Sequence, residues 1–442
     1  MPVIYFDNFR GFNKTFLPLK KVNFFVGENS SGKTSVLKLI KILSDHKFWF
    51  TQEFNSDEAE LGYYSEIASY ANKNKKYFEI GILGDYRDKD DGISAIKLKF
   101  TNNEGIPSVK EISLIRDDVN IQAIVESDYI KYRYSPVNLS NITEVNKLKY
   151  FKKWIAKNDL VNKPFVKDEN SSPFLTSAIL FHVQTIIAQI KSPKKKINEK
   201  RHSFYMPNFL QDVAWLAPIR TDPKRTYDSY KIAFNPDGTH APYLLKRLLG
   251  KETTQRAREK AQEILRKFGK DSGLFDSIKI NPLGRGDNSP FELQVLLNNF
   301  PLKITNVGYG VSQILPLIIE VIARQNETWF AIQQPEIHLH PRGQAAFGDF
   351  IYKSVINDNK NFIIETHSDY TIDRYRLRLY KGDEDDKAAN NKINSQIVFF
   401  KRSNGINELT CIPIMNNGSL PDTQPSEFRD FFIKEQLELL QI

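Results

Sequence analysis

Residues 26–35 read VGENSSGKTS, and Gly27, Gly32, Lys33 and Thr34 stand in the spacing G-x4-G-K-T. That spacing is chemistry for phosphate. Two glycines allow a tight backbone path, so that successive N–H groups face one anion, and a following helix adds its N-terminal donors. Lys33 would reach the β- and γ-phosphates of a nucleotide, and Thr34 would give a hydroxyl to Mg2+. Asn29, Ser30, Ser31, Gly32, Lys33, Thr34 and Ser35 are therefore the candidate ligands of ATP, with Thr34 also the candidate metal ligand.

The motif needs a strand before it and a helix after it. Residues 21–26, KVNFFV, have the make-up of a buried strand, and Val36, Leu37, Leu39, Ile40 and Leu43 recur at helical spacing. Three later segments follow in the order that an ABC-type nucleotide-binding domain requires. The first is Val307-Gly-Tyr-Gly-Val-Ser312-Gln313 ahead of the apolar run ILPLIIEVIA, a glycine turn with a serine at a helix start and so a second anion site. The second is the apolar run TWFAI, which leads into Gln333-Gln334-Pro335-Glu336. A strand ending in acids is where such an ATPase holds Mg2+ and orients the attacking water. The third is NFIIETHS, in which His367 closes a strand as a sensor of the γ-phosphate.

Between these pieces the pattern changes. Residues 77–136 alternate as short strands (YFEIGIL, AIKLKF, EISLI, YIKYRYS), separated by Asn, Asp and Gly. Residues 138–273 read as mostly helical, with an apolar helix over 174–190 and a charged one over 252–268 that ends at Gly269. The boundaries expected are an N-terminal lobe with the loop and a β subdomain (1–137), a helical insertion for partner or oligomer contacts (138–273), a C-terminal lobe (274–400) and a short C-terminal module (401–442). The fold class expected is α/β: a P-loop ABC-type domain with an antiparallel β subdomain and a helical insertion.

Composition narrows the partners. Lys plus Arg outnumber Asp plus Glu by 62 to 53, a net charge of +9 that suits a polyanion but also serves plain solubility. The basic stretch at Lys191 and Lys194–Lys196, with Lys200 and Arg201, reads as a solvated loop before it reads as a nucleic-acid contact. The single cysteine, Cys411, excludes an internal disulfide, and no Cys/His spacing suggests zinc. The start, MPVIYFDNFRGF, lacks a basic leader, and the apolar stretch at 314–323 carries Glu320 and is too short to span a bilayer. A cytoplasmic protein without membrane contact is expected.

The pieces NFRGF, VGENSSGKTS, WLAPIRTDP, NPDGTHAPYLL, NVGYGVSQILPL, PEIHLHPRGQ and IIETHSDYTI together resemble the RecF/OLD-like branch of ABC-type ATPases, relatives of SMC proteins. The resemblance implies that Asn8-Phe9-Arg10 opens the first strand near the nucleotide. It implies that Ser312 and Gln313 form the signature that caps a γ-phosphate across a dimer, and that His367 is the switch. Gln333, Gln334 and His367 are its catalytic positions, with Gln333 also a metal position. Two half-sites on one chain imply a homo-oligomer, a dimer or a multiple of dimers, closed by ATP.

The chain departs from that branch at Gln333. An acid is usual there, whereas a Glu-Gln-Pro-Glu form accommodates Gln334. Glutamine takes no proton and ligates Mg2+ poorly. Gln333 is thus either an introduced substitution that traps ATP or a natural loss of hydrolysis, and slow turnover is expected of an otherwise ATP-binding chain. Relatives of the OLD type carry a nuclease after the ATPase. Here the only acidic cluster after the switch is Asp383-Glu384-Asp385-Asp386, in a Gly/Lys/Asn-rich loop that reads as a solvated turn. The resemblance then extends to the ATPase subunits of two-gene antiphage systems, PtuA of Septu and AriA of PARIS. It implies a separate nuclease effector and a phage protein or nucleic acid as trigger. The other reading from the same resemblance is a RecF-like, ATP-gated DNA clamp in repair or maintenance.

Overall fold

The structure is a computed structural model that describes residues 2–69, 76–85, 93–139, 142–157, 159–168, 179–191, 210, 213–228, 233–286, 289–382 and 393–428. In chain order its first elements are β1 (Val3–Asp7), β2 (Thr15–Pro18), β3 (Val22–Gly27), α1 (Lys33–Ser44), α2 (His46–Thr51) and α3 (Tyr64–Ile67). Five strands follow, β4 (Tyr77–Asp85), β5 (Ile93–Asn103), β6 (Ile106–Arg116), β7 (Val119–Val125) and β8 (Ile130–Pro136), then α4 (Glu144–Ala156), β9 (Val166–Lys167), α5 (Ile179–Lys191) and β10 (Ala214–Leu216). The remainder comprises α6 (Ala241–Leu249), α7 (Gln255–Ser272), β11 (Ser277–Pro282), β12 (Phe291–Leu297), β13 (Phe300–Lys303), α8 (Tyr309–Ala323), β14 (Trp329–Gln333), α9 (Pro341–Asp358), β15 (Asn361–Glu365), α10 (Asp369–Lys381), β16 (Ser395–Ser403) and β17 (Ile406–Ile414).

The chain divides into two compact units that interleave along the sequence. Unit 1 takes Met1–Lys20, Glu28–Val213 and Phe400–Leu409, and unit 2 takes Lys21–Gly27, Ala214–Phe399 and Thr410–Ile442. Unit 1 is built on an eight-stranded sheet of order β2-β1-β4-β5-β6-β7-β8-β9, whose neighbours pair antiparallel. Its strands alternate as a sheet with two different faces must. In β5, Ile96, Leu98 and Phe100 are buried, while Lys97 and Lys99 are half-buried. Phe78 stacks on Phe100, and Phe54 meets both rings edge-on. Phe151 of α4 packs on Val3, Tyr5, Leu83, Ala95 and Ile115.

Unit 2 is a parallel core. Its sheet runs β10-β14-β15-β3-β16-β17, and β10, β14, β15 and β3 pair parallel. The strands VNFFVG, WFAIQ and NFIIE are buried at every position, as strands covered on both faces must be. Helices α6 to α10 supply the cover, with Leu244, Leu245, Leu265, Phe268, Ile314, Ile318, Phe347, Ile351 and Tyr375 among the buried residues. The antiparallel sheet β11-β12-β13 joins the same core through Ile278, Leu293 and Val295.

Several expectations change. Residues 138–273 are not one insertion: 142–191 fall in unit 1, whereas α6 and α7 bury Leu244, Leu245 and Leu265 in the core of unit 2. Nor do residues 401–414 stand apart, because β16 and β17 extend the order of the parallel sheet. The strand β7 went unread because VNIQAIV follows β6 after a two-residue turn. The charged helix α7 runs past Gly269 and ends at Gly273, which holds φ 71. Gly269 is small for another reason: a Cβ there would lie 2.2 Å from the Phe275 carbonyl oxygen, where the chain folds back on the helix. The apolar helix expected over 174–190 is α5, of which 174–178 lie outside the described residues, as do Lys194–Lys196, Lys200, Arg201 and the acidic run 383–386.

Two residues of α9 and α10, Gly348 and Asp369, carry measurable consequences. A Cβ on Gly348 would sit 2.5 Å from the Thr371 carbonyl oxygen and 3.2 Å from the Tyr375 nitrogen, both backbone atoms. Gly348→Ala must push the helices apart, and it is expected to cost about 1–3 kcal/mol in denaturant unfolding. Asp369, in the first turn of α10, is pushed up to about 6 from 3.8 by burial and by Asp373. Its folded value lies above the unfolded one, so folding takes up a proton in this window. The stability it contributes is present below pH 4 and lost as pH rises through 6. Asp369→Asn is expected to flatten that dependence and to add about 1 kcal/mol at neutral pH, a figure reduced for the partial exposure of the group.

Candidate functional site

The glycine loop begins where β3 ends. Gly27, the last residue of β3, holds φ 135, which suits glycine. Within unit 1 the loop continues through Glu28, Asn29 and Ser30, all exposed, to Ser31, which is buried. Ser30 and Gly32 both take positive φ, 60 and 94. At Gly32 a Cβ would lie 2.5 Å from the Phe12 ring and 3.1 Å from Asn407 Nδ2, so glycine is required by space as well as by conformation. Lys33 turns back along the loop: its Nζ donates to the Glu28 carbonyl at 2.7 Å, and Ser31 Oγ donates to the same oxygen at 2.7 Å. The N-cap of α1 is Gly32, which has no side chain with which to cap the helix. Its first N–H groups thus point at the loop, where an anion is the natural acceptor.

Arg10 is tied to the same region. It follows β1 rather than opening it. One Nη donates to Ser35 Oγ at 3.2 Å and the other to the Leu61 carbonyl at 2.6 Å. Burial lowers its pKa, with Glu66 acting in the opposite sense. Asn407 Nδ2 donates to the Arg10 carbonyl at 2.8 Å and so holds the turn after β1. Thr34 and Ser35 are half-buried at the start of α1.

Unit 2 contributes a polar edge at the carboxyl ends of its parallel strands. The register pairs Phe25 of β3 with Glu365 of β15, and Glu365 with Gln333 of β14. Side chains at one level of adjacent strands meet, and Gln333 Nε2 donates to Glu365 Oε2 at 2.9 Å in a buried hydrogen bond. Gln334 turns away at φ 41, with its N–H on the Glu365 carbonyl at 2.7 Å. Glu336 then folds back on the end of β15: Thr366 Oγ1 donates to its Oε2 at 2.8 Å and the His367 N–H to its Oε1 at 2.7 Å. The His367 side chain is exposed.

Arg220 anchors this edge from behind. It is 2% exposed and donates from Nη2 to the Gln333 carbonyl at 3.1 Å. Its N–H donates to Gln313 Oε1 at 3.3 Å, and Gln313 Nε2 returns a bond to the Arg220 carbonyl at 3.4 Å. Nε and Nη1 of Arg220 have no hydrogen-bond partner among the described residues. Burial lowers its pKa to about 10, with Glu336 opposing the shift, so it remains a cation at neutral pH.

The expected signature therefore faces two ways. Ser312 is buried, and its Oγ donates back to the Tyr309 carbonyl at 2.8 Å, while Gln313 is buried against Arg220. The exposed part of the segment is Gly308 and Tyr309, whose hydroxyl donates to Asp222 at 2.7 Å. Gly310 is close-packed, since a Cβ would meet the His338 carbonyl at 2.7 Å. The loop residues 29–35 thus gather in unit 1, and Gln333, Gln334 and His367 in unit 2. Reasoning on sequence missed Glu365 and the roles of Arg220 and Glu336. The readable signal for Glu365 was strand length: TWFAIQ and NFIIE are runs of similar length that end in a polar residue, as in-register neighbours do.

The loop fits a nucleotide phosphate, since it presents a helix start with a glycine N-cap, a lysine and positive φ at Ser30 and Gly32. At the end of β14 the chain supplies amides, Gln333 and Gln334, where a metal favours a carboxylate. The Gln333 amide nitrogen, which cannot ligate, faces the one carboxylate beside it. Among the described residues no cluster of three or more His, Cys, Asp or Glu converges on a point. No described helix is long and apolar enough to cross a membrane.

Solved structures give the wider setting. The chain is similar to an SMC head bound to the C-terminal winged-helix domain of ScpA, at 12% identity and TM-score 0.44, covering 93% of this chain and 97% of that one. It is similar to the SMC head domain from Thermotoga maritima at 10% identity and TM-score 0.40, covering 92% and 97%. A third is the Smc head with an extended coiled coil bound to the C-terminal domain of ScpA from Pyrococcus furiosus, at 13% identity and TM-score 0.41, covering 100% and 99%. No curated protein matches the chain in sequence. The family model described as an AAA ATPase domain matches residues 3–372, a span that holds both the glycine loop and the β14–β15 edge, and the chain belongs to that family.

Proposed function

We propose that the chain binds ATP on residues 29–35, that ATP draws it into a dimer or a multiple of dimers, and that this switch controls a separate nuclease effector in antiphage defence. The observation that carries the ATP step is the pairing of a glycine N-cap on α1 with Lys33, whose amine rests on the loop carbonyl of Glu28 at 2.7 Å. A phosphate offers that amine a charged acceptor in place of a neutral one, and charge-assisted bonds are about twice as strong. Thr34 and Ser35, at the first turn of α1, lie within the same run of donors.

Assembly follows from the half-site logic of the motif order. A signature segment with an exposed Gly308-Tyr309 tip is available to a second copy, and ATP between two copies acts as an interface ligand. Control of an effector rests on the resemblance to two-gene systems, since fold alone does not decide function. Turnover is slow in this reading, because Gln333 offers an amide where a carboxylate would act.

Mass photometry with and without ATP tests the switch. The chain is expected to shift to a larger assembly with ATP, and Lys33→Ala to remain at one size. The same variant is expected to lose about tenfold to a hundredfold in ATP affinity by calorimetry. Gln333→Glu is expected to raise ATP turnover by about a hundredfold in a phosphate-release assay, the lower end of what a positioned carboxylate contributes. One unchanging size, with no nucleotide affinity, would overturn the switch. DNA binding that weakens steeply with salt in the chain alone would favour a clamp over an effector-holding ATPase.

A further inference from the structure

Within unit 2, α7 and α9 pack through Phe268 and Phe350, whose rings meet edge-on with centroids 6.0 Å apart. The same two helices border a cavity of about 180 Å3, with Ile264, Phe268, Ala346 and Phe350 as its apolar lining. That volume is below the ~300–1,000 Å3 of sites for drug-sized ligands, so its occupant is a smaller molecule.

The charges around the cavity are unevenly matched. Lys260 cancels Asp358, while Arg374 and Arg378 share the one carboxylate of Asp349. Lys267 and Lys353 stand against Glu263 and Asp271, which leaves one positive charge over. The two lysines face each other from the two helices. Their amines lie within hydrogen-bond reach of one another, and among the described residues no carboxylate is bonded to either. Ammonium groups donate and cannot accept, so this contact is repulsive unless an acceptor stands between them. Burial and Lys267 lower the pKa of Lys353 to about 8, Arg378 adds to the shift and Asp271 opposes it. Glu263 is exposed, and water screens its charge.

We propose that this cavity binds a small organic acid, whose carboxylate bridges the Lys267 and Lys353 amines and whose apolar part lies on Ile264, Phe268 and Phe350. A carboxylate offers one oxygen to each amine and supplies the single negative charge that the surroundings lack. Such charge-assisted bonds are about twice as strong as neutral ones, and burial of the apolar part adds to them. The site lies wholly in unit 2 and uses none of residues 29–35, so it stands or falls apart from the ATP-binding reading.

The test is acetylation of the full chain by a succinimidyl ester at neutral pH, read lysine by lysine by peptide mass spectrometry. It is run in chloride, in butyrate and in phosphate at one ionic strength. Butyrate is expected to slow Lys353 by about tenfold relative to chloride, the factor that one unit of pKa represents, and to leave the exposed Lys270 unchanged. Lys267→Met, a change at an exposed position that removes the charge and keeps an unbranched side chain, is expected to abolish the protection. Lys33→Ala is expected to keep it. Equal rates for Lys353 in butyrate and in chloride overturn the inference. Protection by phosphate without protection by butyrate overturns it as well, because the lysine pair then serves another anion. Protection that survives Lys267→Met, or that is lost in Lys33→Ala, overturns the bridge between the two amines.

Discussion

The parallel pairing of β3, β15 and β14 is the constraint on which the chemistry of this chain depends. Each of the three strands is buried along its whole length, so a slip of one residue would send a whole set of side chains to the wrong face. The register puts Phe25, Glu365 and Gln333 on one level at the carboxyl edge. Two residues later the loop begins. The hydrogen bond between Gln333 and Glu365 exists because that register is held by core packing, and polar groups so placed would be costly if either lost its partner. Open α/β sheets use this edge because every strand delivers its last residue there and then releases the chain into a loop.

The edge also shows how protein donors meet carboxylates. A carboxylate in a core needs a proton, a cation or hydrogen-bond donors. Glu365 has an amide, and Glu336 has a hydroxyl and a backbone N–H. Arg220 joins two segments far apart in sequence, the Gln313 turn of α8 and the end of β14, through bonds to Gln313 and to Gln333. A displacement of either element would be felt by the other through a side chain that has almost no solvent to relax into.

Close packing does comparable work in the helical cover. Gly348 lets α9 approach the backbone of α10, and Gly269 lets the chain return across α7 to Phe275. Asp349, next to Gly348, receives a fork of bonds from Arg378 and one from Arg374. The helix pair is thus set by a missing side chain and by a buried charge that its neighbours satisfy.

How much of this was legible beforehand divides along physical lines. Local chemistry was legible. Val26 to Ser35 carry a turn, a lysine and a helix start within ten consecutive residues, and the alternation of residues 77–136 announced a sheet with a core face and a wet face. The later motifs, and the ATPase class they indicate, could be read for the same reason: each is a short run whose meaning lies in its own residues. Long-range placement was not legible. Nothing near Arg220 in sequence names Gln333 as its acceptor, and nothing near Glu365 names Gln333 as its donor, since they stand 113 and 32 residues away. The division into units was hidden as well, because residues 21–27, which hold β3, lie in a core built chiefly from residues after 213 and then feed a loop that belongs to the other unit. Sequence by itself determined that this chain carries the G-x4-G-K-T spacing after an apolar run and, later, two apolar runs with polar ends. Tertiary structure alone decided which acids lie at the β14–β15 edge and which donors meet them, because register and burial, rather than residue type, set the partner of a buried carboxylate.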